Sequence, residues 1–289
     1  MKTAFIGLGA MGYPMAGHLA KSHEVTVWNR TAEVAQRHAS EHGTKRAADV
    51  RECAAADVIF SCLPTSREVA EIVDALAGDL RAGQLWIDNT SGDPETARET
   101  ACRLAGLGVE YVDAPVTGGT NGAASGTLTV MVGGSPEGFA RALPLIELFG
   151  KKIVHVGAVG SGHAIKAMNN VMLAANIWVA GECLMSLKKM GMDLSVAFEV
   201  LNAGSGRSFA SESLLPSRLV EGKWPLAFKL ALLDKDVRIG TATTHQQHLA
   251  TPVMDLISNL YTAARRDLGE NADYIEVLKY MAGMSGEGW

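Results

Sequence analysis

The stretch Lys2-Thr3-Ala4-Phe5-Ile6-Gly7-Leu8-Gly9-Ala10-Met11-Gly12 is an apolar run that leads directly into a G-x-G-x-x-G pattern. An amphipathic segment, Tyr13–Lys21, follows the third glycine, and a second apolar run, Val25–Trp28, comes next. Glycines permit a tight turn between strand and helix and let the backbone approach a pyrophosphate, which the N-terminal amides of a helix attract. The pattern and its context predict a dinucleotide-binding loop rather than a glycine-rich turn without a ligand. The loop residues are Gly7, Leu8, Gly9, Ala10, Met11 and Gly12.

Short apolar runs continue through the first half of the chain and alternate with amphipathic stretches of helical length. Alternating strands and helices, with strands that are apolar throughout, are typical of a doubly wound parallel sheet covered on both faces. We therefore expect an α/β fold that begins with a Rossmann doubly wound parallel sheet. The expected strands are Thr3–Ile6, Val25–Trp28, Val58–Cys62, Leu85–Ile87, Tyr111–Val112, Thr129–Val132 and Ile153–Val156.

The pattern changes after Val156, where the glycine-rich segment 157–162 precedes one long expected helix, His163–Met190. Further helical patterns run to Lys279 without a convincing strand. The sequence therefore predicts two domains, a dinucleotide-binding Rossmann domain over residues 1–160 and an all-α domain over residues 161–289. The methionines of the second domain are expected to fill its core. They are Met168, Met172, Met185, Met190 and Met192.

The residues after the second strand indicate which dinucleotide is used. An NAD site usually places a carboxylate here to accept from the ribose 2′-hydroxyl, and that carboxylate would repel a 2′-phosphate. This chain has Asn29, Arg30 and Thr31 instead, which supply amide, guanidinium and hydroxyl donors. The sequence favours NADP as cofactor, with NAD possible, unless Arg30 is only an exposed charge.

Two further strand ends, Ser61–Thr65 and Asp88–Ser91, carry hydroxyl groups and backbone donors. Ligands of doubly wound sheets bind beyond the carboxyl ends of the strands, so we expect these segments at the cofactor cleft. Small polar residues are also common at strand ends without any function. The residues assigned to the cofactor here are Leu63 and Pro64.

Lys166 and Asn170 lie four residues apart on the long expected helix, so their side chains share one face. Their neighbours are mostly apolar, and burial of a lysine among such neighbours lowers its pKa toward the range of an acid–base catalyst. A lysine on a helix is more often a solvated charge. The glycine-rich entry, the asparagine on the same face and the adjoining dinucleotide domain favour the catalytic interpretation.

Charge and hydropathy exclude several classes of protein. A net charge of −5 and a pI near 5.9 argue against nucleic-acid binding. The apolar start is broken by glycines and is not expected to be a signal peptide, and the charge-free stretch near residues 167–181 falls short of the ~20 apolar residues that a membrane span needs. We therefore expect a cytoplasmic protein.

One histidine pattern could suggest a metal site. His38-Ala39-Ser40-Glu41-His42 fits a zinc-protease pattern, but it lies on a polar helix away from the expected cleft, and no metal is predicted.

Several segments together resemble one family, the β-hydroxyacid dehydrogenases, and most of all its 3-hydroxyisobutyrate dehydrogenases, including NADP-using bacterial ones. The resemblance runs nearly end to end. The segments that carry it are Gly7–Gly12, Asp113–Gly119, Gly126–Leu128, Met131–Gly134, Gly160–Asn170, Ser205–Ser208 and Lys235–Asp236.

This resemblance implies roles for individual residues. The lysine matching Lys166 is the family's general acid–base residue, and the asparagine matching Asn170 helps to hold the substrate. Thr117, Gly118 and Gly119 match a Ser-Gly-Gly segment that binds the substrate carboxylate, with threonine as a departure from the pattern. The positions of Ser91 and Lys235 contact the cofactor in relatives. Family members pair a Rossmann domain with a helical domain, through which they form homo-dimers or homo-tetramers.

The activity implied is hydride transfer between NADP and a small hydroxy acid, most of all the oxidation of 3-hydroxyisobutyrate to methylmalonate semialdehyde, a step of valine catabolism. A glyoxylate or succinic semialdehyde reductase of the same fold is an alternative. Imine reductases share the fold but generally lack the lysine, so Lys166 argues against that branch. An intact glycine loop and lysine also make a non-catalytic dinucleotide-binding protein the weakest alternative.

Overall fold

A computed structural model describes all 289 residues and divides the chain into two units, Met1–Lys166 and Ala167–Trp289. The division falls inside one helix, Ser161–Lys189. The predicted domain boundary, after residue 160, lies immediately before that helix begins.

The first unit contains a nine-stranded sheet in the order β3-β2-β1-β4-β5-β6-β8-β7, with β9 paired to β8. All the expected strands are present, and the two-residue strands β3 and β7 are additional. The strands are β1 (Lys2–Ile6), β2 (Glu24–Trp28), β3 (Lys45–Arg46), β4 (Val58–Ser61), β5 (Leu85–Asp88), β6 (Glu110–Asp113), β7 (Val116–Thr117), β8 (Leu128–Gly133) and β9 (Gly150–Gly157).

The strands β1 to β6 are parallel, which confirms the predominantly parallel, doubly wound sheet. The far edge differs, because β8 runs antiparallel to both β6 and β7. Antiparallel neighbours do not need the long crossover that parallel strands require, and only β7 and one short helix separate β6 from β8 along the chain.

Both faces of this sheet are covered, which explains why its strands are apolar throughout. Phe5 and Phe60 belong to the apolar core on one face, whereas Ala4, Ile6 and Ile59 belong to the core on the other. The helices of this unit are α1 (Gly12–Ala20), α2 (Ala32–His42), α3 (Ser66–Leu76), α4 (Pro94–Ala105), α5 (Gly119–Ser125) and α6 (Pro136–Ile146).

His38, on α2, is fully buried rather than part of an exposed polar surface. Its Nε2 lies 3.0 Å from the Tyr13 carbonyl oxygen and its Nδ1 lies 2.9 Å from Thr44 Oγ1. A neutral ring with its proton on Nε2 satisfies both contacts. The ring therefore belongs to the packing of α2 against α1.

The second unit is helical and contains no strand. Its core is built around Trp178, Leu233 and Tyr261. The helices are α7 (Ser161–Lys189), whose first turns belong to the first unit, α8 (Leu194–Ala203), α9 (Leu215–Leu219), α10 (Leu230–Gln246), α11 (Pro252–Leu268) and α12 (Val277–Met284).

The helix α7 is, at 29 residues, long and apolar enough to cross a membrane by length and composition alone, contrary to the sequence expectation. A core helix of a soluble protein passes the same test, and α7 contributes Ala174, Ile177 and Trp178 to the core of the second unit. The expectation that the methionines are core residues is wrong for Met172, Met190 and Met192, which are 67%, 71% and 48% exposed.

Candidate active site

The glycine loop joins β1 to α1, and its three glycines are required for different reasons. Gly7 has a φ of +97°, and a Cβ at this position would overlap the carbonyl oxygen of Cys62. A Cβ on Gly12 would overlap the Gly7 carbonyl oxygen, so the fold itself requires these two glycines. A Cβ on Gly9, by contrast, would meet no atom of the chain within 4 Å. Packing does not require glycine there, but the close approach of a dinucleotide to the backbone would require it.

The N-terminus of α1 is suited to an anion. Its first turn holds no acidic residue, and the N-cap residue, Met11, makes no side-chain capping hydrogen bond. Gly9 and Ala10 are exposed beside it. Backbone amides of a helix start, an open glycine and the absence of a competing carboxylate together fit the pyrophosphate of a dinucleotide.

Asn29 connects this loop to the end of β2. Its Oδ1 accepts a hydrogen bond from the Leu8 amide at 3.0 Å, and its Nδ2 donates to the Thr31 carbonyl oxygen at 3.1 Å. The Asn29 side chain, which is predicted to contact the cofactor, therefore also holds the glycine loop in its conformation. Arg30 and Thr31 are exposed directly after it.

The next two strand ends are held together at the same edge of the sheet. The Leu63 amide, after β4, donates to Thr90 Oγ1, after β5, at 3.1 Å. Pro64 is exposed and Ser91 is half-buried. Thr90 lies in a segment expected at the cleft, but a single threonine after a strand has no distinctive pattern that would assign it a role of its own.

The segment Thr117–Gly119 leaves β7 and begins α5. Gly118 and Gly119 have φ values of +128° and +65°, in the left-handed region that favours glycine. Both are exposed, and a Cβ on Gly119 would meet nothing within 4 Å. Two exposed glycines, with open space at Gly119 and the half-buried Thr117 beside them, leave backbone and hydroxyl donors suited to a carboxylate.

Lys166 is half-buried on α7 and lies four residues before Asn170, as the sequence predicts. Asn170 is almost fully buried, and its Nδ2 donates to Asp236 Oδ2 at 2.5 Å. The other oxygen of Asp236 lies 2.9 Å from the ammonium group of Lys235. In the second unit, Asp236 therefore fixes both Asn170 and Lys235, the two residues assigned there from the sequence. It was not itself assigned a role.

Two buried aspartates of the first unit lie in segments that the sequence singles out, Asp88–Ser91 and Asp113–Gly119, but the sequence assigns neither a role of its own. Asp88 and Asp113 end β5 and β6 and are register partners in the sheet. Burial raises the pKa of Asp113, partly offset by the charge of His163 and by backbone hydrogen bonds. At Asp88 burial acts in the same direction, but His163, Thr90 and Ser61 outweigh it and lower the pKa.

Two family models match consecutive parts of the chain. The NAD binding domain of 6-phosphogluconate dehydrogenase matches residues 2–157, and the NAD-binding domain of NADP-dependent 3-hydroxyisobutyrate dehydrogenase matches residues 160–281. The first covers more than half of the chain and coincides with the sheet and the glycine loop. The chain belongs to the β-hydroxyacid dehydrogenase family. It is an NAD(P)-dependent hydroxy acid dehydrogenase.

Relatives of this dehydrogenase match it over almost its whole length. The 2-(hydroxymethyl)glutarate dehydrogenase of Eubacterium barkeri is 35% identical, over 100% of this chain and 98% of the relative. The 3-hydroxyisobutyrate dehydrogenase of Pseudomonas aeruginosa is 34% identical, over 97% of this chain and 98% of the relative. The solved structure of Mycobacterium tuberculosis 3-hydroxyisobutyrate dehydrogenase with L-serine is 29% identical and has a TM-score of 0.88, covering 97% of this chain and 98% of that one.

Proposed function

We propose that this dehydrogenase oxidises 3-hydroxyisobutyrate to methylmalonate semialdehyde with NADP as hydride acceptor. One observation carries the substrate class: the glycine pair Gly118–Gly119 is exposed and has left-handed φ values, in the segment that the family resemblance assigns to the substrate carboxylate. The names of two relatives, 3-hydroxyisobutyrate and 2-(hydroxymethyl)glutarate dehydrogenase, both describe a hydroxymethyl group on the carbon that bears a carboxylate.

The chain's own residues would bind the acid and move the proton. The amides of Gly118 and Gly119 and the hydroxyl of Thr117 hold the carboxylate, and the Asn170 carboxamide, fixed by Asp236, holds the substrate. Lys166 takes the hydroxyl proton as the alcohol is oxidised and returns it in the reverse reaction. When bound, NADP supplies the hydride acceptor.

The preference for NADP rests on the end of β2. Arg30 is exposed and its planar guanidinium can make paired hydrogen bonds to a 2′-phosphate. No carboxylate stands among Asn29, Arg30 and Thr31 to accept from a free 2′-hydroxyl. The family model matched by residues 160–281 describes an NADP-dependent enzyme.

A homo-dimer or homo-tetramer is part of this proposal. Large apolar side chains are exposed on the helical unit, among them Met190, Val196 and Val200. Exposed apolar patches on soluble proteins commonly mark association surfaces, and relatives are expected to associate through this unit.

A substrate panel tests the proposed reaction. NADP reduction would be measured with 3-hydroxyisobutyrate, 3-hydroxypropionate, serine, glycerate and 4-hydroxybutyrate, and NADPH oxidation with glyoxylate and succinic semialdehyde. We expect kcat/KM to be highest for 3-hydroxyisobutyrate, with 4-hydroxybutyrate poor because its longer chain moves the hydroxyl away from the carboxylate. A higher kcat/KM for glyoxylate or succinic semialdehyde would assign the enzyme to the alternative, aldehyde-acid reductases.

A further inference from the structure

The carboxylate of Asp113 is enclosed at the end of β6, with none of the residue's surface exposed. Its Oδ1 accepts a hydrogen bond from the Gly160 amide at 2.7 Å, and its Oδ2 accepts one from the His163 amide at 2.8 Å. Gly160 directly precedes α7, and His163 lies in its first turn. A carboxylate bonded to N-terminal amides, where the helix dipole is positive, makes a charge-assisted attachment between this helix and the sheet.

Glycines allow the helix to approach this carboxylate closely. A Cβ on Gly162 would lie 2.8 Å from Asp113 Oδ2 and would overlap the Met131 carbonyl oxygen. A Cβ on Gly133 would overlap Asp113 Oδ1. Side chains at these positions would separate α7 from β6, so the docked position of the first turn depends on both glycines.

A second aspartate holds the same turn of α7. The His163 ring is fully buried, and its Nε2 lies 3.4 Å from Asp88 Oδ2. Asp88 is itself fixed by hydrogen bonds from Tyr111 Oη at 2.9 Å and Ser61 Oγ at 2.8 Å. Asp113 therefore binds the backbone amide of His163, and Asp88, on the neighbouring parallel strand, contacts its side chain.

Lys166 follows His163 by three residues, so it lies one helical turn beyond the attachment. A helix turn transmits the position of its start to the next turn because its backbone hydrogen bonds link residues four apart. We propose that Asp113 is a positioning residue for Lys166, holding the first turn of α7 so that the lysine amine stands where the proton must be transferred. This inference rests on the acid–base role of Lys166 proposed above.

The variant Asp113→Asn tests this inference at almost constant volume. The asparagine can accept only one of the two amide hydrogen bonds and turns an NH₂ group toward the other donor. Misplacement of a catalytic group by about 1 Å can cost about 10²-fold, so we expect kcat to fall about 10- to 100-fold. KM for the hydroxy acid and Kd for NADPH should change less than about threefold. Hydrogen exchange of the amides in residues 160–166 should accelerate.

Asp193→Asn is the matched control. Asp193 also accepts a helix N-terminal amide, from Ser195 at 2.7 Å, but at the start of α8, which carries no assigned site residue. We expect it to retain kcat. If Asp113→Asn folds poorly, Gly162→Ala provides a second test of the same idea. Its added methyl group should push the first turn of α7 away from the unchanged Asp113 carboxylate and reproduce the loss of kcat.

A double variant separates this inference from the role of Lys166. If Asp113 acts through Lys166, adding Asp113→Asn to Lys166→Ala should lower kcat no further. Full kcat in Asp113→Asn, unchanged exchange in residues 160–166, or an equal further loss in the Lys166→Ala background would overturn the inference. A Lys166→Ala enzyme that stays active would instead contradict the proposed function, whatever the exchange data show.

Discussion

Among single residues, two glycines with nearly equal φ values allow backbone strain to be distinguished from a role in substrate binding. Gly119 has a φ of +65° and Gly43, at the end of α2, has a φ of +67°, and a Cβ on either would meet nothing within 4 Å. Replacing either by alanine should cost about 1 kcal/mol of stability or more, since left-handed backbone is unfavourable for alanine. Only Gly119 lies in the segment assigned to the substrate carboxylate.

We therefore expect Gly119→Ala, but not Gly43→Ala, to raise KM for the hydroxy acid about 10-fold or more. Kd for NADPH should stay unchanged in both variants. Steady-state kinetics and a cofactor titration check this, with thermal unfolding to compare the two stability losses. An equal rise in KM in both variants would mean that strain alone explains the effect and would remove Gly119 from the substrate site.

Arg30 and Asn29 are expected to affect cofactor binding in different ways. Arg30 is proposed to donate to the 2′-phosphate alone, and hydrogen bonds to a charged group are worth about 1.5–3 kcal/mol each. Arg30→Ile should therefore weaken NADPH binding by about 10- to several-hundred-fold and leave NADH binding unchanged. Asn29→Ala removes the hydrogen bond that holds the Leu8 amide and should weaken both cofactors alike.

The double variant Asn29→Asp with Arg30→Ile should reverse the preference, because aspartate keeps an acceptor for the Leu8 amide and can also accept from a ribose 2′-hydroxyl. The measurement is kcat/KM with NADP and with NAD at fixed ionic strength, since phosphate recognition is screened by salt. A wild-type enzyme that already prefers NAD, or an unmoved ratio in the double variant, would contradict the assignment of Arg30.

At the scale of elements, α2 packs on α1 through a histidine that must stay neutral. Burial lowers the pKa of His38 from 6.5 to about 4, although the hydrogen bond to the Tyr13 carbonyl opposes this shift, and His42 and Glu41 also face the ring. Because the folded state binds the proton less tightly than the unfolded chain, stability is lost as pH falls from about 6.5 to about 4. It is retained above pH 6.5. The full shift corresponds to about 3 kcal/mol.

His38→Gln should remove this pH-dependent component, because glutamine can still donate to the Tyr13 carbonyl but does not titrate. Urea unfolding between pH 7 and pH 4 measures it, with His23→Gln, a half-buried histidine after α1, as control. We expect the wild type and the control to lose stability more steeply than His38→Gln. Parallel curves for all three proteins would show that His38 is not responsible.

The elements themselves were largely predictable, because parallel strands buried on both faces must be apolar runs. The antiparallel direction of β8 could not be predicted, because an apolar run does not indicate whether a strand runs parallel or antiparallel to the strands beside it. The glycine loop, Lys166 and Asn170 could be found from local spacing. Asp113 and Asp236 stand in segments that carry the family resemblance, but their roles could not be predicted, because their hydrogen bonds to Gly160 and Asn170 span 47 and 66 residues and leave no local pattern.

At the scale of the whole molecule, the exposed apolar residues of the helical unit predict association. Val196 and Val200 lie one turn apart on α8 and are 56% and 65% exposed. Light scattering should give the mass of a homo-dimer or homo-tetramer, and Val196→Glu with Val200→Glu should shift it toward the monomer. Val154→Glu, an exposed valine on β9, should not. A monomeric wild type would contradict the predicted association.

The proposed function depends on Lys166 transferring the proton while a small hydroxy acid reduces NADP. The most direct measurement is kcat for NADP reduction with 3-hydroxyisobutyrate by wild type, Lys166→Ala and Lys189→Ala, the last a lysine at the far end of the same helix. We expect Lys166→Ala to lower kcat by about 10²–10⁴-fold, the usual contribution of a positioned acid–base group, with Kd for NADPH unchanged and Lys189→Ala fully active. A Lys166→Ala enzyme that keeps more than about a tenth of wild-type kcat, with hydride transfer shown to be rate-limiting by a substrate deuterium isotope effect, would contradict the account.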